Sequence, residues 1–158
     1  MNFTFSGRVS MKVLKSLGIF QLYKQRDPVA FHAMEGVIDQ KYVVFFEYRY
    51  TTSDGESPQT WHYSVAFFPS GGIGLANLRL EPETFWQQLG RFFSSSGAAD
   101  QNRPRALIGK NWYVEILRGR LLLYRLEKLS PQDVPGFIAR ANEIATALNQ
   151  DQSLRANQ

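Results

Sequence analysis

At 158 residues with an ordinary apolar fraction, the chain is long enough to form one domain with its own core. It has no cysteine, which excludes disulfides, thiolate zinc sites, thiol catalysis and Cys-ligated iron–sulfur clusters. Its formal charge of +4 is too small to imply nucleic acid, but it is unevenly placed: Arg8, Lys12, Lys15, Lys24 and Arg26 occur in residues 1–26 with no acid, whereas the remainder sets thirteen bases against fourteen acids.

Residues 1–7 show no periodicity. From Val9 to Phe20, a helical wheel groups Val9, Val13, Leu17 and Phe20 on one side with Leu14 at the margin, and sets Lys12, Lys15 and Ser16 opposite. This basic amphipathic pattern suits either a helix docked on the body with its lysines in water or one lying on an anionic membrane. Ile19 to Tyr23 reads as a short strand ended by Asp27-Pro28, because the residue before proline is pushed to extended conformations. Phe31 to Ile38 reads as another strand, closed by a tight turn at Asp39-Gln40.

The central stretch holds two aromatic, β-branched runs around a polar loop with Asp54, Gly55, Ser57 and Pro58, a hairpin pattern with a mobile tip. Alternation places Tyr42, Val44, Phe46, Tyr48 and Tyr50 on one face and Val43, Phe45, Glu47, Arg49 and Thr51 on the other. The first half is apolar on both faces and is expected to be buried on both. Trp61 to Phe68 forms the partner strand. Pro69 to Gly74 is a loop without the Lys-Ser/Thr of a phosphate-binding motif, and Leu75, Leu78 and Leu80 suggest a short fourth strand.

Glu81-Pro82-Glu83-Thr84 looks like a helix start, followed by Phe85, Leu89 and Phe92 at helical spacing. Residues 94–105 form a flexible linker. Trp112 to Leu126 reads as a second hairpin around Arg118-Gly119. Ser130 makes an N-cap with Pro131 at the first helical position, and Val134, Phe137, Ala141, Ile144 and Leu148 form an apolar helix stripe with Arg140 and Glu143 facing away. Residues 151–158 are a polar tail.

Hairpins followed by helices give an α+β class: an antiparallel sheet from two hairpin-containing halves, each followed by a helix, with a basic segment 1–20 ahead of a single domain 21–150. Two packed strand-strand-helix layers would satisfy this order. So would a pleckstrin-homology-like barrel capped by the last helix.

Catalytic signals are absent. His32 and His62 have no metal-binding spacing, although they would meet if their strands paired. Glu81 and Glu83 are explained by the helix dipole, and Glu47 with Arg49, like Glu115 with Leu117, reads as a surface ladder. G-x-S-x-G is missing, as is the RNP1 pattern that an aromatic sheet reading single-stranded nucleic acid would carry. A non-enzymatic protein without cofactor or metal is the expectation.

Several stretches, namely QLYKQR, VVFFEYRYTT, HYSVAFF, LRLEPETFWQQLG and LLLYRLEKLSPQDVPGFIARANEIATAL, resemble a group of uncharacterised bacterial proteins, cyanobacterial members among them. The likeness covers about residues 19–93 and 112–148. That group carries D/E-Y-x-Y-T-T, a strand ending V-x-F, L-R-P-E before a short helix, an L-L-x-Y-R strand and a closing helix. Its members often have membrane-spanning helices ahead of this domain and a longer acidic stretch before the last hairpin. Here the basic segment 1–20 and the linker 94–105 stand in those places. The resemblance implies a domain working at or near a membrane and supplies no activity.

No run approaches the ~20 apolar residues that span a bilayer, and the N-terminus lacks a secretory h-region, so a cytoplasmic chain, peripheral on the membrane's cytoplasmic face, is expected. The functional expectation is a protein-binding accessory or assembly factor of a membrane complex. Tyr48, Arg49, Tyr50, Trp61 and Tyr63 would contact the partner, because aromatic and arginine side chains anchor interfaces. Arg8, Lys12, Lys15, Lys24 and Arg26 would face an anionic membrane. A small-ligand or lipid pocket between sheet and terminal helix is the alternative, and single-stranded nucleic-acid binding through the aromatic sheet face is a more distant one.

Overall fold

Two-residue turns set the sheet's register. Asp39 and Gln40 (φ 47° and 63°) and Arg118 and Gly119 (φ 52° and 74°) are all left-handed, as the primed hairpin turns require. The computed structural model of the chain describes residues 2–24, 28–52, 57–82 and 111–155. In chain order its strands are β1 (Asn2–Phe5), β2 (Val29–Ile38), β3 (Lys41–Thr52), β4 (Gln59–Phe68), β5 (Leu78–Leu80), β6 (Tyr113–Leu117) and β7 (Arg120–Arg125). The helices are α1 (Met11–Leu17) and α2 (Val134–Arg155), and Gln21–Lys24 makes one 3-10 turn.

All pairings are antiparallel, in the order β1-β2-β3-β4-β7-β6-β5. The two halves join through β4 and β7, with Val65 opposite Tyr124 and Phe67 opposite Leu122. They therefore form one open sheet, neither two packed layers nor a barrel. The cause lies in β4: its run from Tyr63 to Phe68 is buried throughout, which demands a neighbour at both edges as well as cover on both faces.

That cover differs between the faces. Val43, Phe45, Ala66, Phe68, Val114, Ile116, Leu121 and Leu123 pack against α2 through the predicted stripe Val134, Phe137, Ala141, Ile144 and Leu148. On the other face, Val44, Phe46, Val65, Phe67 and Leu122 lie under Val9, Val13, Leu17, Phe20 and Leu22. The sheet sits between an N-terminal and a C-terminal layer, an α+β arrangement.

Several elements differ from the sequence reading. The unpatterned start is the edge strand β1, whose four residues are too few to show alternation. Residues 21–24 form a 3-10 turn where a strand was expected, because one carboxylate takes the consecutive amides of Gln21 and Leu22. α2 begins at Val134, since Asp133 supplies the carbonyl that accepts the Phe137 amide, and Ser130 instead donates its hydroxyl to the Asp133 carboxylate. It continues to Arg155, beyond the expected limit of the polar tail, as no glycine or proline follows Gly136 in that stretch. The helix expected over 81–93, the linker 94–105 and the loop tip at Asp54 and Gly55 lie outside the described residues.

Arg118 tolerates its left-handed backbone less well than asparagine would. Arg118→Asn is expected to stabilise the protein by about 0.5 kcal/mol, read as an upward shift of the urea midpoint. An unchanged or lowered midpoint would contradict the primed-turn reading.

Candidate functional site

The N-terminal residues make a strap across one sheet face. β1 lies at one edge, where Ser6 donates its amide to the Ala33 carbonyl. Ser10 caps α1, its hydroxyl oxygen accepting from the Val13 amide. The chain then reaches β6, near the opposite edge, and is fastened there. Glu115, only 1% exposed, accepts from the Gln21 amide at 2.8 Å, the Leu22 amide at 3.3 Å and the Tyr124 hydroxyl at 2.8 Å. Tyr48 adds a second fastening, its hydroxyl donating to the Leu22 carbonyl at 2.6 Å. The expected surface ladder at Glu115 is therefore a buried clamp.

From Val9 to Leu22 the strap's apolar side packs into the core and its charged side faces out, whereas Phe5 ahead of it is largely exposed. Arg8, Lys12, Lys15 and Lys24 are all exposed, while Arg26 lies outside the described residues.

The five residues expected to contact a partner do not form one surface. Tyr48 is 0% and Tyr63 8% exposed, both inside the core that the strap covers. Tyr50 and Trp61 are half-buried against the same core. Arg49 points from the opposite face, its guanidinium 5.6 Å from the Phe31 ring centre. Alternation predicted the faces correctly, but it could not reveal that a preceding segment covers one of them.

The covered face gathers a tyrosine cluster. Tyr50 stacks on Tyr63 at 6.1 Å and Tyr113 on Tyr124 at 4.7 Å, while Tyr23 tilts against Tyr48 at 5.1 Å. Burial raises the Tyr23 phenol to about 12 and moves those of Tyr48, Tyr63 and Tyr124 upward as well. Such phenols stay neutral at physiological pH, which suits packing and hydrogen-bond donation rather than proton transfer.

The histidines are kept apart by β3. His32 sits at a β-bulge with φ 50°, its Nδ1 3.5 Å from Glu47 Oε1, whereas His62 on β4 lies opposite Arg49. Glu47 is itself buried rather than part of a surface ladder. No group of three metal-ligating side chains occurs among the described residues, and no described helix is long and apolar enough to cross a membrane.

A cleft of about 400 Å³ opens between the β2–β3 turn, the turn after β4 and the C-terminal half of α2. Gln40, Lys41, Phe68, Ser70, Gly71 and Asn149 are among its lining residues. Polar tethers fix the walls. Lys41 Nζ donates to Thr146 Oγ1, Asn142 Nδ2 donates to Asp39 Oδ2 at 2.7 Å, and Asn149 Nδ2 donates to the Gly71 carbonyl at 2.9 Å. Burial lowers the Lys41 pKa, and the charge on Asp39 partly opposes that shift. These residues were missed in the sequence, although Asn142, Thr146 and Asn149 recur at i, i+4 and i+7 beside the apolar stripe.

No protein-family model, curated protein or solved structure matches the chain.

Proposed function

We propose that the chain is a non-enzymatic protein-binding module, an accessory factor at the cytoplasmic side of a membrane complex, held at the anionic surface by its N-terminal strap. The carrying observation is that Arg8, Lys12, Lys15 and Lys24 are exposed along a segment without acids while its apolar residues are packed inside. Attachment of this kind is electrostatic. Val13 and Leu17 of α1 are packed into the core, so each basic residue contributes about 1 kcal/mol and salt weakens the whole. The resemblance to a bacterial family that is often membrane-anchored points the same way. For a protein partner, Arg49, Tyr50 and Trp61 remain the accessible part of the expected contact set.

The test is co-sedimentation with neutral and anionic vesicles at two salt concentrations. The wild-type chain should bind anionic vesicles at low salt only. The double variant Lys12→Glu, Lys15→Glu should bind about 30-fold or more weakly, from about 2 kcal/mol at two outward-facing positions. Absence of wild-type binding, or equal binding by the variant, would remove the membrane from this reading.

A second reading, a small-ligand-binding domain, is favoured by the cleft beside α2. Its volume of about 400 Å³ falls within the usual range for small-molecule sites, ~300–1,000 Å³.

A further inference from the structure

We propose that the cleft between the β2–β3 turn and α2 binds a small organic monoanion, a carboxylate carried on an apolar body, with Lys41 taking the charge. This inference rests on the small-ligand reading and names the ligand's chemistry.

Lys41 is the residue that calls for an anion. Its ammonium is partly buried, and its bond to Thr146 Oγ1 occupies one of three N–H donors. Among the described residues no carboxylate lies within ion-pair distance of Nζ. The acid whose charge acts on it, Asp39, already accepts from Asn142. Partial burial of the ammonium is unfavourable and the charge on Asp39 offsets it only in part, as the lowered pKa reflects, so a bound carboxylate would add to that compensation.

The rest of the cleft matches the other end of such a molecule. Phe68, Pro69 and Tyr42 line it beside Ser70, whose hydroxyl can donate to a second carboxylate oxygen. The Ser70 turn is held firmly. Gly71 donates its amide to the Phe68 carbonyl at 3.1 Å, and its own carbonyl accepts from Asn149. A Cβ at Gly71 would stand 2.5 Å from that of Phe68, so the turn lies too close to the strand end for any other residue. A site with walls fixed before binding loses less entropy when filled. The apolar part of the lining, which inorganic phosphate cannot use, favours a carboxylate on an organic body, and the charge of Asp39 in the field of Lys41 disfavours the second charge of a phosphate dianion.

The experiment is an amide NMR titration of the full chain with benzoate as probe, with benzamide and inorganic phosphate as controls. Benzoate should give saturable shifts at Lys41, Ser70, Gly71 and Asn149 with a Kd of about 1 mM or tighter. Lys41→Met should weaken it about tenfold, and benzamide and phosphate should bind more weakly. Should Lys41→Met lose stability, Lys41→Gln, which can still donate to Thr146, gives the same comparison. Benzamide binding as well as benzoate, or undiminished benzoate binding without the ammonium, would overturn the anion assignment while leaving the small-ligand reading standing. Phosphate binding as well as benzoate would overturn the apolar-body assignment. No saturable shift with any of the three would overturn the inference and the small-ligand reading together.

Discussion

Glu115→Ala is expected to destabilise the protein by about 3–5 kcal/mol, among the largest effects of any polar substitution at the described residues. The side chain is buried and satisfies three donors from two places, the Gln21 and Leu22 amides on the strap and the Tyr124 hydroxyl on the neighbouring strand. Alanine would leave all three without a partner, at about 1–3 kcal/mol for each that water cannot reach. For a chain of this size the melting temperature should fall by roughly 10 °C. Glu115→Gln keeps the shape and one carbonyl acceptor, and should lose less than alanine does. Hydrogen exchange supplies the specific readout, because the Gln21 and Leu22 amides should lose protection before the centre of β4. A loss below about 0.5 kcal/mol in Glu115→Ala would show that the clamp is not made in solution.

Phe20→Ala should cost about 3–5 kcal/mol by the cavity it leaves. Phe20 is completely buried and meets Phe67 edge-on, with ring centres 6.0 Å apart and planes at 78°. Lys12→Ala, eight residues earlier on the exposed side of α1, should change stability by no more than about 0.5 kcal/mol. Urea unfolding of both variants makes the comparison. Equal, small effects would mean that the segment lies on the surface rather than in the core. The contrast also governs how the membrane proposal can be tested. A chain starting at Gln21 would uncover Val44, Phe46, Phe67 and Leu122 together with removing the lysines, so loss of vesicle binding in it would not report on charge. Charge reversal at Lys12 and Lys15 leaves the core covered.

Much of the fold was legible because local signals are strong in the sheet. Asp39-Gln40 and Arg118-Gly119 sit at the predicted turns, the alternation through β3 assigned both faces, and the stripe from Val134 to Leu148 is the buried side of α2. What the sequence could not reveal is long-range. The pairing of β4 with β7 depends on which apolar edges find each other, and no local pattern at Val65 or Leu122 specifies the partner. The burial of Tyr48 and Tyr63 has the same origin: their strand pattern is that of an exposed aromatic face, and only the strap over it makes them core. Glu115 looked like a surface acid because a buried carboxylate is rare and its partners are backbone amides of distant residues. The cleft is built from two turns and a helix end that are far apart in the chain, so Lys41 and Asn149 could not be joined by spacing alone.

The clamp also sets an order on assembly. Its bond from Gln21 to Glu115 joins residues 94 apart, whereas β1 to β4 pair with their immediate neighbours along the chain. During synthesis the first four strands can therefore zip together while β6 is still inside the ribosome or not yet made. Throughout that interval the strap has no anchor at its far end, and the apolar face of Val44, Phe46 and Phe67 has neither its full cover nor the neighbouring strand. The stretch from Val9 to Leu22, made before the strands it covers, is thus among the last to be locked, and the nascent chain carries a sticky, half-finished sheet until its second hairpin emerges.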